Sequence, residues 1–311
     1  MENSFKTELK KIFKERVFFD QPLALYTTYK IGGHADFMVF PRSISEIKYL
    51  LNICSEKGVP YCIWGGGSNI LVLSERIRAV IINLSKLNNI SLSRSINQKT
   101  SIYAQAGVTL SRLLEYTVDK SFSGFEFLAG IPGTLGGALF MNAGSQGMEI
   151  KDIILSLTLM EINTSTREID RDNLRFSYRN LDIKDGSIIL NAKLLVNEGD
   201  KEKIKAGIKD NLLKRRRSQP INLPGAGCIF KNPAGGSAGK IIEKVGVKGM
   251  QKGDAKISKK HGNFIENMGS AKADDVLYLI KTIKDTVFSR TGIILEPEIK
   301  FLGESGFVLP Y

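Results

Sequence analysis

Apolar positions in this chain alternate between the two spacings that distinguish helices from strands. Ile47, Leu50, Leu51 and Cys54 fall at helical spacing, with Ser43 and Glu46 ahead of them as a capping-box pair and Gly58 behind them as a stop. Leu110, Leu113, Leu114 and Val118 repeat the pattern after Thr109, and Ile204, Ile208 and Leu212 repeat it before the basic run 214–217. The clearest helix is predicted over 273–289, carrying Val276, Leu277, Ile280, Ile283 and Val287. Short β-branched or leucine-rich runs predict strands at 37–40, 60–64, 79–82, 102–106, 153–162, 188–196 and, after Gly292, 293–302. Residues 1–18 predict a charged helix, and the Ser- and Asn-rich residues 86–101 predict an exposed connection. Strands and helices are mixed without the regular alternation of a doubly wound sheet, so the fold class expected is α+β.

A chain of 311 residues is long enough for two or three compact units. A polar break at 197–200 and the prolines Pro220 and Pro224 mark changes of unit. The divisions expected are an N-terminal helix at 1–18 and units at 19–88, 89–199 and 200–311. No apolar run approaches the roughly 20 residues that cross a bilayer. Residues 1–16 lack the apolar segment of a secretory signal. Three cysteines without framework spacing point to a reducing compartment. The expectation is therefore a cytoplasmic protein. Only His34 and His261 are imidazoles, and no Cys/His cluster has zinc-ligand spacing, so no metal is expected. A formal net charge of +12 favours anionic ligands of any kind, from nucleotide diphosphates to nucleic acid, and equally fits a lysine-rich surface.

Two glycine-rich loops carry the strongest chemical signal. Residues 64–72 read W-G-G-G-S-N-I-L-V. Consecutive glycines weaken any helix or strand, but they let backbone N–H groups converge on an anion, here from Gly65, Gly66 and Gly67 with Ser68 and Asn69 adding side-chain donors. A tight structural turn is the plain alternative. Residues 129–147 read A-G-I-P-G-T-L-G-G-A-L-F-M-N-A-G-S-Q-G. Gly130, Pro132, Gly133, Thr134, Gly136, Gly137, Asn142 and Ala143 there suit a flat aromatic ring lying against bare backbone. Neither loop has the G-x-G-x-x-G of nicotinamide dehydrogenases or the GxxxxGK[ST] of nucleotide hydrolases.

With these loops, T-T-Y-K-I-G-G-H-A-D (27–36), F-S-Y-R-N (176–180), A-G-C-I-F-K-N-P (226–233), K-H-G-N-F-I-E-N (260–267) and L-E-P-E-I-K-F-L-G (295–303) appear in an order that resembles the UDP-N-acetylenolpyruvoylglucosamine reductases, also called UDP-N-acetylmuramate dehydrogenases. The resemblance runs from about Thr27 to Gly303. It implies a two-subdomain FAD-binding fold of the vanillyl-alcohol-oxidase (PCMH) type over 19–88 and 89–199, and a C-terminal α+β substrate-binding domain over 200–311. It implies FAD and NADPH, and reduction of the enolpyruvyl group of a UDP-sugar to a lactyl ether in peptidoglycan precursor synthesis. The partners implied are the UDP-sugar and NADPH, with no nucleic acid or membrane, and a monomer or weak oligomer. Ser68 and Asn69, with no histidine in that loop, point to non-covalent FAD. The short run 177–191 matches the subtype that lacks an extra tyrosine-bearing loop.

Three residues take catalytic roles by this resemblance. Arg179 would hold the substrate carboxylate and stabilise the charge that develops there; read alone it is a solvated loop arginine. Glu298 would act with Arg179; on a strand it would share a face with Glu296 and Lys300, which alone reads as a polar surface. Cys228 occupies a position that is usually serine and would donate the final proton. A thiol, with a reference pKa near 8.5, is the stronger acid and keeps the role; read alone it is a small buried cysteine. Lys231 and Asn232 would contact the UDP diphosphate, and the run 214–217 would contact it or simply complement a helix C-terminus. His261 would shape the substrate or nicotinamide cleft or serve as a structural histidine, and His34 reads as structural. The competing readings are another FAD oxidoreductase of this fold acting on a sugar or alcohol, and a basic nucleic-acid-binding protein. The second would need aromatic residues near its basic run, which has none.

Overall fold

The computed structural model describes residues 2–94 and 100–309. The chain divides into two compact units, one of Met1–Phe18, Met38–Gly66 and Val80–Lys214, the other of Phe19–Phe37, Gly67–Ala79 and Arg215–Tyr311.

In the first unit, helix α1 spans Glu2–Phe13 and buries Phe5, Leu9 and Phe13, four residues apart, on one face. It ends short of the expected residue 18 because Lys14 turns into the left-handed region (φ 51°) and the chain becomes extended at Val17. Helix α2, Ile44–Glu56, starts where the capping signal predicts: Ser43 Oγ accepts from the Glu46 amide at 3.2 Å. The other half of the box is replaced. The Glu46 carboxylate is held by the Arg16 guanidinium at 2.6 and 2.8 Å and by the Arg42 amide. Strand Tyr61–Trp64 runs parallel to Val80–Asn83 and leads into the first glycine loop.

The larger sheet of this unit is five-stranded and antiparallel, ordered Thr166–Asp170, Ile154–Met160, Ile188–Leu195, Thr100–Gln105, Ile90–Arg94. Leu157 faces Ala192 across the ladder, and Leu194 faces Ile102. The connection expected over 86–101 is therefore corrected in part. Residues 90–94 form an edge strand paired with 100–104, and 95–99 lie outside the described residues. Helix α3, Leu110–Asp119, is capped by Thr109, whose Oγ1 accepts from the Arg112 amide. Helix α4 spans Leu135–Phe140 within the second glycine loop, and α5 spans Lys201–Ser218 with its basic run in the last turn.

The second unit packs two helices, α6 (Ala238–Lys244) and α7 (Ala273–Thr291), around one apolar core. α7 buries Val276, Leu279, Ile280, Ile283 and Val287 and stops at Gly292, which takes the left-handed cap (φ 71°). The core continues through Tyr29, Leu71, Ile229, Phe230, Ile299 and Phe301. A strand at Ile70–Val72 pairs in parallel with Lys300–Leu302. The strand expected over 293–302 is thus confined to its last three residues. Pro297 lacks the amide a ladder needs, and it makes only an isolated bridge to Phe230. Among the described residues no helix is long and apolar enough to cross a membrane.

Candidate active site

The first glycine loop divides between the units. Gly65 and Gly66 lie against the second loop: a Cβ on Gly65 would stand 2.7 Å from Thr134 Oγ1, and one on Gly66 would stand 2.6 Å from the Gly133 Cα. These glycines are required for the two loops to touch, a packing reason that adds to the ligand-facing one. The second loop is anchored behind by Leu110 N to Gly133 O, Leu135 N to Val108 O and Gly136 N to Ala106 O, at 2.8–3.1 Å. Gly130 and Gly133 hold positive φ values of 75° and 119°. Gly137 and Pro132 remain exposed, and a Cβ on Gly137 would meet nothing nearer than Thr134 Oγ1 at 3.7 Å. Thr134 Oγ1 is buried without a hydrogen-bond partner among the described residues. Bare backbone beside an unsatisfied buried hydroxyl fits a polar, flat ligand such as a flavin nucleotide.

In the second unit, Gly67 (φ 61°) presses on the Tyr26 carbonyl, where a Cβ would sit at 1.9 Å. Its own carbonyl accepts from the Thr28 amide. The T-T-Y-K and G-G-G-S-N motifs therefore meet. Asn69 donates through Nδ2 to the Glu298 carbonyl at 3.1 Å, and its carbonyl accepts from the Lys300 amide at 2.9 Å. Ser68 sits between these anchors, half-buried.

Cys228 and Glu298 are carried on adjoining segments. The Glu298 amide donates to the Ile229 carbonyl at 2.7 Å, and the Lys231 amide donates to the Glu296 carbonyl. Asn263 fixes the first segment from the other side: its Oδ1 accepts from the Phe230 amide, and its Nδ2 donates to the Phe230 carbonyl. Glu298 is half-buried, while Glu296 and Lys300 are exposed, so the three do not form one solvent face. Cys228 is partly exposed, unlike the buried Cys54 and Cys62. Burial lowers the Arg215 pKa, and the negative charge of a Cys228 thiolate opposes that shift, which places Arg215 near the sulfur.

Lys231 pairs with Glu296 at 3.4 Å. Lys300 is exposed as a residue yet crowded around its amine. Burial lowers its pKa, and the neighbouring Lys231 lowers it further. Asn232 Oδ1 accepts from the Ala238 amide at the start of α6. The His261 ring packs on Gly239 and edge-on to Phe264, its Nδ1 accepts from the Asn263 amide, and burial lowers its pKa. The Lys260 ammonium group caps the end of α5 at the Arg216 carbonyl, in keeping with a cation at a helix C-terminus.

Arg179 belongs to the first unit. It is a non-glycine residue in the left-handed region (φ 57°), with its guanidinium over the Tyr178 ring at 5.0 Å. Its Nη1 donates to the Asn142 carbonyl at 3.4 Å and stands 3.9 Å from Glu149 Oε1. The Asn142 side chain is engaged by Glu149 Oε2, the Ser177 carbonyl and the Lys151 amide.

Two family models match the chain: an FAD-binding domain over residues 35–169 and the C-terminal domain of UDP-N-acetylenolpyruvoylglucosamine reductase over 219–302. Curated relatives bearing that enzyme's name include one from Clostridioides difficile, 42% identical over 94% of this chain and 95% of its own. Another, from Syntrophus aciditrophicus, is 38% identical over 97% and 96%. The chain belongs to the UDP-N-acetylenolpyruvoylglucosamine reductase family. The solved reductase of Thermus caldophilus matches with a TM-score of 0.76 at 31% identity, covering 92% of this chain and 97% of that one. The chain thus combines an FAD-binding domain with the C-terminal domain of this reductase family, and its mixed helices and strands are those the α+β reading expects.

Some family motifs hold residues whose work the sequence did not reveal. In K-H-G-N-F-I-E-N, Asn263 clamps the Cys228 segment, and Asn267 ties the Tyr29 carbonyl to the amides of Gly269 and Ala271. Two buried asparagines four residues apart were the available signal, since buried amides must find partners. Glu149 was missed because only the hairpin turn at Gln146-Gly147, both at positive φ, returns it to Asn142.

Proposed function

We propose that this chain reduces the enolpyruvyl group of UDP-N-acetylenolpyruvoylglucosamine to the lactyl ether of UDP-N-acetylmuramate in the cytoplasm, using FAD and NADPH. The observation that carries the reading is similarity to reductases of that name along nearly the whole chain. Residues 19–88 and 89–199 serve as the flavin subdomains and 200–311 as the substrate domain, with residues 1–18 as an N-terminal helix.

FAD, when bound, would supply the hydride-transfer chemistry that links NADPH to the enolpyruvyl group. Gly65, Gly66, Gly67, Ser68 and Asn69, with Gly130, Pro132, Gly133, Thr134, Gly136, Gly137, Asn142 and Ala143, form the cradle we assign to it. The unsatisfied Thr134 hydroxyl and the open face at Gly137 support that assignment. Asn142 and Asn69 hold the shape of the cradle, because their side chains are engaged within the protein.

The chain's own residues handle the charge and the proton. Arg179 binds the enolpyruvyl carboxylate. Its fixed guanidinium stabilises the negative charge that arises when hydride adds to the neighbouring carbon. Glu298 is assigned a catalytic role on the segment that adjoins that of Cys228. Cys228 donates a proton from Sγ to the carbon next to the carboxylate, and the nearby Arg215 cation steadies the thiolate left behind. Lys231, joined by Lys300, supplies positive charge for the diphosphate. Asn232 and His261 shape this region.

The test is direct. The purified protein carries FAD and is yellow, NADPH bleaches it without air, and steady NADPH oxidation requires the UDP-enolpyruvyl sugar. A colourless protein that takes up no FAD, or NADPH oxidation indifferent to the sugar, defeats the reading.

A further inference from the structure

Arg179 is held by an arrangement that neither the motifs nor the family similarity assigns. Two residues joined by a hydrogen bond, Asn142 and Arg179, are non-glycine residues in the left-handed region, at φ 42° and 57°. Such conformations cost energy, and they persist only where surrounding contacts over-determine them. Here the over-determining group is Glu149. Its carboxylate reaches both residues: Oε2 accepts from Asn142 Nδ2 at 2.9 Å, and Oε1 stands 3.9 Å from Arg179 Nη1. Asn142 is fully buried and also reaches the Ser177 carbonyl, two residues before Arg179, so it bridges the carboxylate to the arginine's own backbone. The Glu149 and Arg179 side chains are only 19% and 20% exposed, so their charges feel each other with little screening.

We propose that Glu149 is a positioning residue for Arg179, fixing where the guanidinium points through the ion pair and through Asn142. This rests on the reading of Arg179 as the group that receives the substrate carboxylate. Lys151 Nζ also binds Glu149 and neutralises it, so the carboxylate orients Arg179 without cancelling its charge. The 3.9 Å separation is longer than a direct charged hydrogen bond, so Glu149 aligns the guanidinium by charge and not by a bidentate clasp.

The test uses the FAD-loaded protein and its two half-reactions. Glu149→Ala slows reoxidation of the NADPH-reduced protein by the UDP-enolpyruvyl sugar by about 10- to 100-fold, the scale of a misplaced catalytic group. Glu149→Gln, which keeps the acceptor for Asn142 but not the charge, slows it less. Reduction by NADPH and FAD content stay native in both. In an Arg179→Ala background Glu149→Ala adds nothing further, because both changes remove the same interaction. Native reoxidation in Glu149→Ala overturns the proposal, as do additive effects of the two changes. Loss of FAD or of both half-reactions in Glu149→Ala and Glu149→Gln alike assigns Glu149 to the scaffold and also overturns it. Native reoxidation in Arg179→Ala alone shows instead that the reading of Arg179 has failed.

Discussion

Asn69 holds the strand that follows Glu298 at two points, donating to the Glu298 carbonyl at 3.1 Å and accepting from the Lys300 amide at 2.9 Å. A residue of the glycine loop thereby sets the height of the candidate catalytic glutamate. Asn69→Ala removes one of the two anchors and, at roughly 1 kcal/mol for a hydrogen bond, leaves the unit folded. Single-turnover kinetics are expected to show reoxidation by the UDP-sugar slowed about tenfold, with reduction by NADPH near native. Equal slowing of both half-reactions would show that the Asn69 side chain acts through the flavin cradle and not through the Glu298 segment.

The two reasons for glycine in the loops are separable. Gly66→Ala puts a methyl 2.6 Å from the Gly133 Cα, a collision of backbones, and is expected to cost about 1–3 kcal/mol and lower the melting temperature whether or not FAD is present. Gly137→Ala meets only Thr134 Oγ1 at 3.7 Å. It is expected to leave the apoprotein's melting temperature unchanged or slightly raised, since alanine favours helix α4, while weakening FAD binding. Differential scanning fluorimetry with and without FAD checks both. Native FAD affinity in Gly137→Ala would mean that this face does not touch the cofactor.

The cysteines separate by burial. Burial pushes the Cys54 thiol up to about 12 and the Cys62 thiol up to about 11, whereas Cys228 is partly exposed. At neutral pH a native-state alkylating reagent is expected to label Cys228 alone, as read by peptide mass spectrometry. Cys228→Ala should abolish labelling and slow reoxidation by substrate, and Cys228→Ser should restore reoxidation. Labelling of Cys54 or Cys62 at the same rate would contradict the burial. Normal reoxidation in Cys228→Ala would remove it as proton donor.

His261 adds a pH dependence of known sign. Burial lowers its pKa in the folded state, so below the unfolded value, near 6.5, the unfolded chain holds more protons. Its contribution to stability is present above that value and is lost as pH falls toward the folded one. Protonation also turns Nδ1 into a donor facing the Asn263 amide. Urea melts across this range are expected to show stability falling on acidification, with a shallower slope in His261→Gln. An unchanged slope would exclude His261 as the source.

Much of the scaffold was legible because its signals are local. Ser43 and Thr109 cap their helices, Gly292 ends α7, and the leucine-rich runs at 154–160 and 188–195 form central strands. Errors arose where a nonlocal partner decided the outcome. Ile90 and Leu92 alternate as strand residues do, yet the Ser and Asn around them read as loop until pairing with 100–104 is supplied. Glu298 read as one of three polar positions on a strand, but Pro297 breaks the ladder there. The motifs singled out Arg179, Cys228 and Glu298 as candidates. They did not reveal Asn263, Asn267 or Glu149, whose roles depend on segments that meet only after folding.

The central claim is tested most directly by single turnover. The protein is reduced with one equivalent of NADPH without air and mixed with UDP-N-acetylenolpyruvoylglucosamine in a stopped-flow instrument. The account predicts rapid return of the oxidised flavin spectrum with formation of UDP-N-acetylmuramate, and a large loss of that rate in Arg179→Ala while reduction by NADPH persists. A reduced flavin that ignores the UDP-sugar but is reoxidised by oxygen, with a simple sugar or alcohol as its reductant, would contradict it.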